Sequence, residues 1–335
     1  MWFILSLVAL LFWSGSDFFS KAGTDKKDPF SHWKIVSAVG FFMGIDASYQ
    51  WLIRGESFTM QDMLVYLPVS FFYILAMILG YIGLRYAFLT LTTPICNCSG
   101  AAGIIFMVVF GVTSYDLTKK NDFLQVLAIV LMFLGIILLS VFEDEEEKKA
   151  KLIDKRNSFK SLIDKKSAMI GIFLSIMYCM IDGIGTFLDT TVLDEMGTES
   201  LMYKAVFKIS PWYADNVIAV EYNEASANIA YEYTFLILGI IAAIYVFGIK
   251  KNKYDKKFDS FKLFGGICET VGQLAYIYAL GTDGKEAAAA AIISGYCVLS
   301  IVWARIFLKE KVALKQYLSI LIIIVGIVIL GFFDA

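Results

Sequence analysis

The sequence predicts an all-α integral membrane protein, with ten transmembrane helices arranged as two inverted five-helix repeats. Two observations lead to this fold class: an apolar composition, and a set of helix-length apolar stretches that repeats within the chain. Of the 335 residues, 59% are hydrophobic and 18% are charged, and the mean hydropathy is +0.69. Soluble domains are about half apolar and about a quarter charged. The composition therefore argues against a soluble enzyme, and we expect lipid to cover the surplus apolar surface.

Apolar stretches of transmembrane length occur along the whole chain. A helix needs about 20 apolar residues to cross the hydrocarbon core of a bilayer. In the first half, the stretches that meet this length and lie between polar segments are 2–20, 34–53, 63–84, 94–114 and 123–142. In the second half they are 168–188, 231–250, 261–280, 286–308 and 316–333.

The two halves resemble each other. With one common offset, Gln125 aligns with Gln316, and Gly135 with Gly326. Helix one resembles helix six at a shorter spacing, with Gly15 over Gly183, so the second half must carry an insertion. Because five crossings is an odd number, the second copy enters the membrane from the opposite side, and the repeat is inverted.

This repeat predicts the domain organisation. We expect the first five-helix repeat at 1–142, a charged linker at 143–167 and the second repeat at 168–335, with an inserted loop at 190–230. The linker mixes Glu and Lys, which is typical of a solvated tether. The inserted loop is polar and aromatic, and is expected to form a lid, a binding surface or an interfacial aromatic belt.

Four motifs carry a family resemblance: "LLFWSGSDF" in helix one, "LRYAFLTL" and "YIYALGTD" at the ends of helices three and eight, and "SIVWARIFLKEKVALKQYLSILIIIVGIVIL" across helices nine and ten. Together they resemble the ten-helix EamA-type branch of the drug/metabolite transporter superfamily. The resemblance implies that helices one to four and six to nine enclose a central cavity, with helices five and ten peripheral.

Lys and Arg are concentrated in the loops on one side of the predicted bundle, which predicts that this side is cytoplasmic. That count places both termini outside, whereas many members of the resembled family have both inside. We expect a multi-pass protein of the plasma membrane in either orientation.

Acidic residues inside the predicted spans mark the candidate site. Asp46, Asp182 and Glu269 all lie within roughly 10 Å of the membrane midplane, at 1.5 Å of rise per residue. Asp17 lies nearer one end of helix one, where Arg85 could pair with it. Buried charges are costly in hydrocarbon and usually functional, although interhelical packing by hydrogen bonds is the alternative explanation.

Neighbouring residues complete the predicted substrate-binding site. Glu269, Gln273 and Tyr276 share one helical face at i, i+4 and i+7. The full predicted set is Trp13, Asp17, Asp46, Asp182, Glu269, Gln273, Tyr276 and Tyr296. Glu269 and Asp182 are also the predicted coupling residues, because an acid in hydrocarbon favours the neutral form and can carry a proton.

Other chemistries lack the necessary residues. His32 is the only histidine, no GxxxxGK[ST] loop occurs, and the five cysteines are scattered. These features argue against nucleophilic catalysis, ATP hydrolysis, a metal site and a resident cofactor. A net charge of -2 gives no reason to expect a nucleic-acid partner. The sequence contains no pattern that predicts an oligomeric state.

The predicted function is secondary active transport by alternating access, driven by a gradient. The acidic site favours a small cationic or amine-bearing metabolite, or a coupled proton, and the lipid bilayer is the other expected partner. The alternative is a membrane receptor or scaffold that does not transport and binds a partner through loop 190–230.

Overall fold

In a computed structural model of the chain, the structure describes residues 1–25, 27–111, 115–154, 165–193, 201–218, 224–280, 289, 292–293, 295–310 and 313–333. The regular elements within these ranges are helices, and the ranges contain no strand. The predicted all-α class is thereby confirmed.

The first half of the chain contains α1 (Trp2–Ala22), α2 (Ser31–Leu52), α3 (Met60–Gly83), α4 (Leu89–Cys96), α5 (Ser99–Val109) and α6 (Lys120–Asp154). The second half contains α7 (Lys165–Leu193), α8 (Leu201–Ile209), a short turn α9 (Pro211–Tyr213), α10 (Glu224–Ala243), α11 (Lys256–Leu280), α12 (Tyr296–Phe307) and α13 (Leu314–Phe333). A π-helix follows α9 at Ala214–Ile218, and a second follows α10 at Ile244–Ile249.

In the part of the chain that the structure describes, six helical segments are long and apolar enough to cross a membrane: Trp2–Ala22, Met60–Gly83, Leu89–Val109, Lys120–Leu139, Lys166–Asp189 and Ala225–Ile249. The predicted spans 34–53 and 261–280 are occupied by α2 and α11, which are helices of sufficient length that carry more polar residues. The predicted spans 286–308 and 316–333 contain the shorter apolar segments Tyr296–Phe307 and Leu314–Ile329, and most of 286–294 lies outside the described residues.

The outer surface of the bundle is apolar, as α6 illustrates. The exposed large side chains in the middle of this helix recur every three or four residues: Leu127, Val130, Leu134, Ile137 and Val141. This spacing places them on one face of the helix. Ala128 and Met132 lie on the opposite face and are buried. An apolar stripe of this length exposed on the outside of a bundle is suited to contact with lipid.

The helices pack in pairs that join the two halves of the chain. In these pairs, α1 packs along α11, α2 along α10, α3 along α7 and α6 along α13. Glycines mark the closest approaches: a Cβ on Gly135 would lie 3.0 Å from the carbonyl oxygen of Ser319, and one on Gly326 would lie 2.8 Å from that of Ala128. Small residues at such positions let two backbones approach closely.

The predicted span 94–114 is interrupted. Helix α4 ends at Cys96 and α5 begins at Ser99, so one membrane crossing is built from two short helices. Pro94 lies inside α4 and lacks a backbone donor, which weakens the helical ladder at this point. Broken helices of this kind place backbone polar groups inside a bundle, where they often line a binding site.

Glu310 ties the two halves together at the start of α4. Its side chain is buried, and its Oε1 accepts a hydrogen bond from the backbone N–H of Leu89 at 3.0 Å. Its Oε2 accepts bonds from the backbone N–H and the hydroxyl of Thr90, at 2.9 and 2.8 Å. A carboxylate at this position satisfies the free N–H groups of a helix N-terminus and matches its dipole. Glu310 belongs to the "LKEK" part of the predicted family motif.

Two predicted loop boundaries differ from the structure. Helix α6 continues through the first part of the predicted linker to Asp154, because Glu, Lys and Ala there are strong helix formers. The predicted inserted loop contains α8 and α9, and α10 begins inside it at Glu224. Consequently Glu232, which the sequence places at the edge of a span, lies eight residues into a helix.

Candidate functional site

Asp17 connects three helices at the centre of the bundle. Its Oδ2 accepts a hydrogen bond from the hydroxyl of Ser300 in α12 at 2.9 Å and from that of Thr93 in α4 at 3.1 Å. The expected pairing with Arg85 does not form, because the Arg85 Nη1 group instead donates to the carbonyl oxygen of Pro29 at 3.4 Å. Asp17 is therefore held by hydroxyl groups, which leave its charge uncompensated.

Glu269 reaches the same region from α11. Its carboxyl lies close enough to the Ser16 hydroxyl of α1 and to Asp17 for electrostatic interaction. Tyr81 of α3 also lies in electrostatic range of Glu269, and its hydroxyl is buried without a hydrogen-bond partner among the described residues.

Asp182 completes the group from α7. Its carboxyl lies in interaction range of Ser99, the first residue of α5, directly after the break in that span. Tyr178 lies in electrostatic range of both Asp182 and Glu269, and Cys96 lies in range of both Asp17 and Asp182. The structure therefore brings three of the four predicted acids together, and we call Asp17, Asp182 and Glu269 the central acids.

An aromatic wall stands beside the central acids. The Trp13 ring centroid lies 5.0 Å from that of Tyr276 and 5.8 Å from that of Tyr296. Trp13 packs directly on Gly272 of α11, where a Cβ would collide with the indole ring. The indole Nε1 of Trp13 is buried and has no hydrogen-bond partner among the described residues. All three residues predicted as aromatic cavity walls therefore form one cluster.

Asp46 lies in a different group. It accepts a hydrogen bond from Gln50 Nε2 at 2.7 Å and interacts with Glu232 of α10. Gln273, another predicted site residue, donates to the Asn228 side-chain oxygen of α10 at 3.2 Å. Asp46 has no hydrogen bond or electrostatic interaction with the central acids in the described part of the chain.

The sequence alone does not identify Glu232 and Asn228 as residues of a buried polar site. The predicted span began at residue 231, which placed Glu232 at the membrane surface and Asn228 in a loop. The structure starts α10 seven residues earlier, at Glu224, and buries both side chains. The signal that could have found them is the spacing of the two residues at i and i+4, continued from the polar segment into the apolar one.

A second charged cluster closes one end of α2 and α11. Lys34 Nζ lies 2.9 Å from Asp28 Oδ2 and 3.1 Å from Asp259 Oδ2, and Lys262 Nζ lies 2.5 Å from Asp259 Oδ1. Burial alone would raise the pKa of Asp259, but hydrogen bonds from Lys262, the Asp255 backbone and Lys34 outweigh this and leave the pKa lowered. The cluster borders a cleft of about 540 Å³. Its charges satisfy one another, which indicates a structural role.

Metal binding has no support in the described part of the chain, where no group of three or more His, Cys, Asp or Glu side chains is placed to hold an ion. All five cysteines are free thiols.

Comparison with known proteins assigns the second half of the chain. No curated protein matches the sequence significantly. Residues 217–332, about a third of the chain, match the family model described as the EamA-like transporter family. The matched segment contains α10 to most of α13, and with them Glu269, Gln273, Tyr276 and Tyr296.

The family match and the apolar helices together make the chain an integral, multi-pass membrane protein. Members of the matched family are transporters, whose partners are small molecules and the surrounding bilayer. The resemblance predicted from the sequence is thus confirmed over residues 217–332, which carry the signature of the EamA-like transporter family within the drug/metabolite transporter superfamily.

Proposed function

We propose that the protein is a secondary active transporter that moves a small cationic or amine-bearing metabolite across the plasma membrane by alternating access. The observation that carries this proposal is the convergence of Asp17, Asp182 and Glu269 without a basic partner. None of the three forms a salt bridge within the described residues. Uncompensated acids inside a membrane bundle cost free energy, and a cation would offset that cost.

The surroundings of the central acids support a ligand of this kind. The faces of Trp13, Tyr276 and Tyr296 provide the ring surfaces to which a desolvated ammonium group is attracted. Trp13 Nε1 and the Tyr81 hydroxyl are buried donors without a described partner. Buried polar groups are nearly always satisfied, so a polar substrate atom is a natural acceptor for them.

The helix pairings support two inverted repeats. In the aligned halves, α1 corresponds to α7, and α3 corresponds to α11. Replacing each helix of the observed pair α1–α11 by its counterpart gives α7–α3, which is also an observed pair. The pairs α2–α10 and α6–α13 each join an element to its own counterpart. A twofold relation in the membrane plane produces such a pattern, and it is the architecture that supports rocking of one repeat against the other.

The inserted segment supports a lid or belt more than a partner-binding surface. Tyr213 packs against the bundle, with its hydroxyl donating to the Val65 carbonyl oxygen of α3 at 3.4 Å. Trp212 and Ile209 are exposed at the same level. Aromatic and apolar side chains of this kind are enriched where a protein meets the membrane interface.

The test starts with purified protein. A thermal-shift screen of amines, amino acids and nucleosides at two pH values identifies a stabilising solute, and uptake of that solute is then measured in proteoliposomes. We expect Glu269→Gln to abolish uptake or its coupling, while Asp116→Asn, a substitution in an exposed turn, leaves uptake unchanged. Unchanged uptake and pH dependence in Glu269→Gln would refute the assignment of Glu269, and wild-type vesicles that transport no stabilising solute would refute the proposed function.

A further inference from the structure

A pair of carboxyl groups lies between α2 and α10, apart from the central acids. Gln50 Nε2 donates to Asp46 Oδ2 at 2.7 Å and to Glu232 Oε2 at 3.4 Å, so one amide group bridges the two acids. The two carboxyls also lie in interaction range of each other. Glu232 is fully buried, whereas Asp46 is partly exposed. We call these two residues the acid pair.

The acid pair has unsatisfied polar atoms beside it. Glu232 Oε1 is buried and makes no hydrogen bond to a described residue, and the same holds for the amide nitrogen of Asn228, which lies one turn earlier on α10 and in interaction range of Glu232. Neither Asp46 nor Glu232 forms a salt bridge with a described residue. The site therefore contains two acids that form no salt bridge within the described residues, with Arg54 as a more distant positive charge on the side of Asp46.

Two adjacent carboxylates cannot both stay ionised in a low-dielectric interior, so one proton held between them removes the repulsion. We propose that Asp46 and Glu232 form a proton-binding site, in which one proton forms an O–H bond on one carboxyl while the other carboxylate accepts it. On the basis of the proposed function, we infer that loading and release of this proton couple the transporter to a proton gradient.

A chain of polar side chains connects the acid pair to the candidate substrate site. Gln273, on the same face of α11 as Glu269, donates to Asn228 at 3.2 Å, and Asn228 interacts with Glu232 one helical turn further along. On the other side, Asp46 lies in electrostatic range of Arg54, beyond the end of α2. The pair therefore stands between the substrate site and one surface of the bundle.

Several titratable and charged groups face the acid pair from the elements around it. On the side of Asp46, the Arg54 guanidinium lies 4.6 Å from the Tyr278 ring centroid of α11, and Tyr278 is in electrostatic range of Asp46. On the side of Glu232, Tyr231 is in range of Glu232 and Glu269, and its ring centroid lies 6.1 Å from that of Tyr73 in α3. Arg54 is the positive charge in this set, and its exposed position favours release of the proton towards that surface.

The proton itself is the probe for the first test. Infrared difference spectra of the purified full-length protein are recorded at a series of pH values from acid to alkaline, because a proton shared by two acids is released as the pH rises. We expect one buried carboxylic-acid band that is lost in Asp46→Asn and equally lost in Glu232→Gln, with no further loss in the double variant. Different bands lost in the two single variants, or no band lost, would overturn the proposal.

Two further variants keep the test independent of folding. Ser48→Ala changes the same stretch of α2, where Ser48 bonds to Tyr233 at 3.1 Å, and should keep the band. Gln50→Ala leaves both acids in place but removes the bridging amide, and should shift the band. A band that does not respond to Gln50→Ala overturns the assignment even if Glu232→Gln fails to fold.

A transport measurement distinguishes this inference from the proposed function. In proteoliposomes with an imposed proton gradient, Asp46→Asn should lose accumulation of the solute but keep its equilibrium exchange. Accumulation at the wild-type level in Asp46→Asn would overturn the coupling role while the transporter assignment stands. If the wild-type protein shows the shared carboxylic-acid band but exchanges no solute, the proposed function is refuted and the proton site stays supported.

Discussion

Gly40 of α2 lies directly against Gly239 of α10, and a Cβ built on Gly40 would be 3.0 Å from the Cα of Gly239 and 2.5 Å from the carbonyl oxygen of Phe235. The two backbones can meet this closely only because neither residue has a side chain. The same helix pair carries the Asp46–Glu232 acid pair, so this contact also sets the distance between the two carboxyl groups.

This contact predicts that Gly40→Ala destabilises the protein. The added methyl group must push α10 away from α2, and overpacking of this kind costs about 1–3 kcal/mol. Gly100→Ala is the matched control, since nothing lies within 4 Å of its Cβ and alanine favours the helix. Thermal unfolding in detergent should therefore show a lower Tm for Gly40→Ala alone. Equal Tm values for the two variants would contradict the close approach.

Trp13→Phe should weaken binding of the transported solute. The substitution keeps an aromatic ring beside Tyr276 but removes the unpartnered indole N–H, and one lost hydrogen bond is worth about 0.5–1.5 kcal/mol. Trp303→Phe is the control, because the Trp303 indole already donates to the Ser14 hydroxyl at 3.2 Å. Titration with the stabilising solute should show a higher Kd only for Trp13→Phe. If both variants bind as the wild type does, the Trp13 N–H is not a ligand donor.

His32 should play no part in the pH dependence of transport. Burial lowers the pKa of His32 to about 4, and Arg85 acts in the same direction. A histidine with this pKa is already neutral between about pH 6 and pH 8, and changes no charge there. Uptake in His32→Gln should therefore keep the wild-type pH profile. A shifted midpoint of the pH profile of uptake in this variant would show that His32 contributes to the pH response.

Asp259→Asn should destabilise the protein at neutral pH and much less in acid. The lowered pKa of Asp259 contributes stability that is complete above its ordinary value of about 3.9 and is lost as the pH falls through the lower folded value. The variant also leaves Lys34 and Lys262 buried without their shared partner, a change that typically costs about 3–5 kcal/mol.

Thermal unfolding at pH 7 and below about pH 4 measures this difference. Asp255→Asn is the control, because Asp255 is exposed in the same cleft and an asparagine oxygen can still accept the bond from the Lys257 N–H. A Tm gap between the wild type and Asp259→Asn that stays constant on acidification would show that the charge of Asp259 is not the stabilising feature.

Local features of the chain were predictable from the sequence because they depend on neighbouring residues. Helix α1 begins at Trp2, as predicted, and α13 begins within two residues of the expected position. The sequence also named Trp13, Tyr276 and Tyr296 as candidate site residues, but their meeting in one cluster joins three helices and depends on the tertiary packing. The break between α4 and α5 was not predicted, although Pro94 is a local signal for it.

The sequence by itself determined that this protein lies in a membrane and where most of its helices run, since hydropathy and helical periodicity are properties of short segments. The tertiary structure alone decided that Asp17 meets Ser300 and Thr93, and that Asp46 meets Glu232 rather than the central acids. These contacts join residues as far apart as 283 positions. No periodic pattern specifies which helix faces will meet, because that choice depends on the packing of the whole bundle.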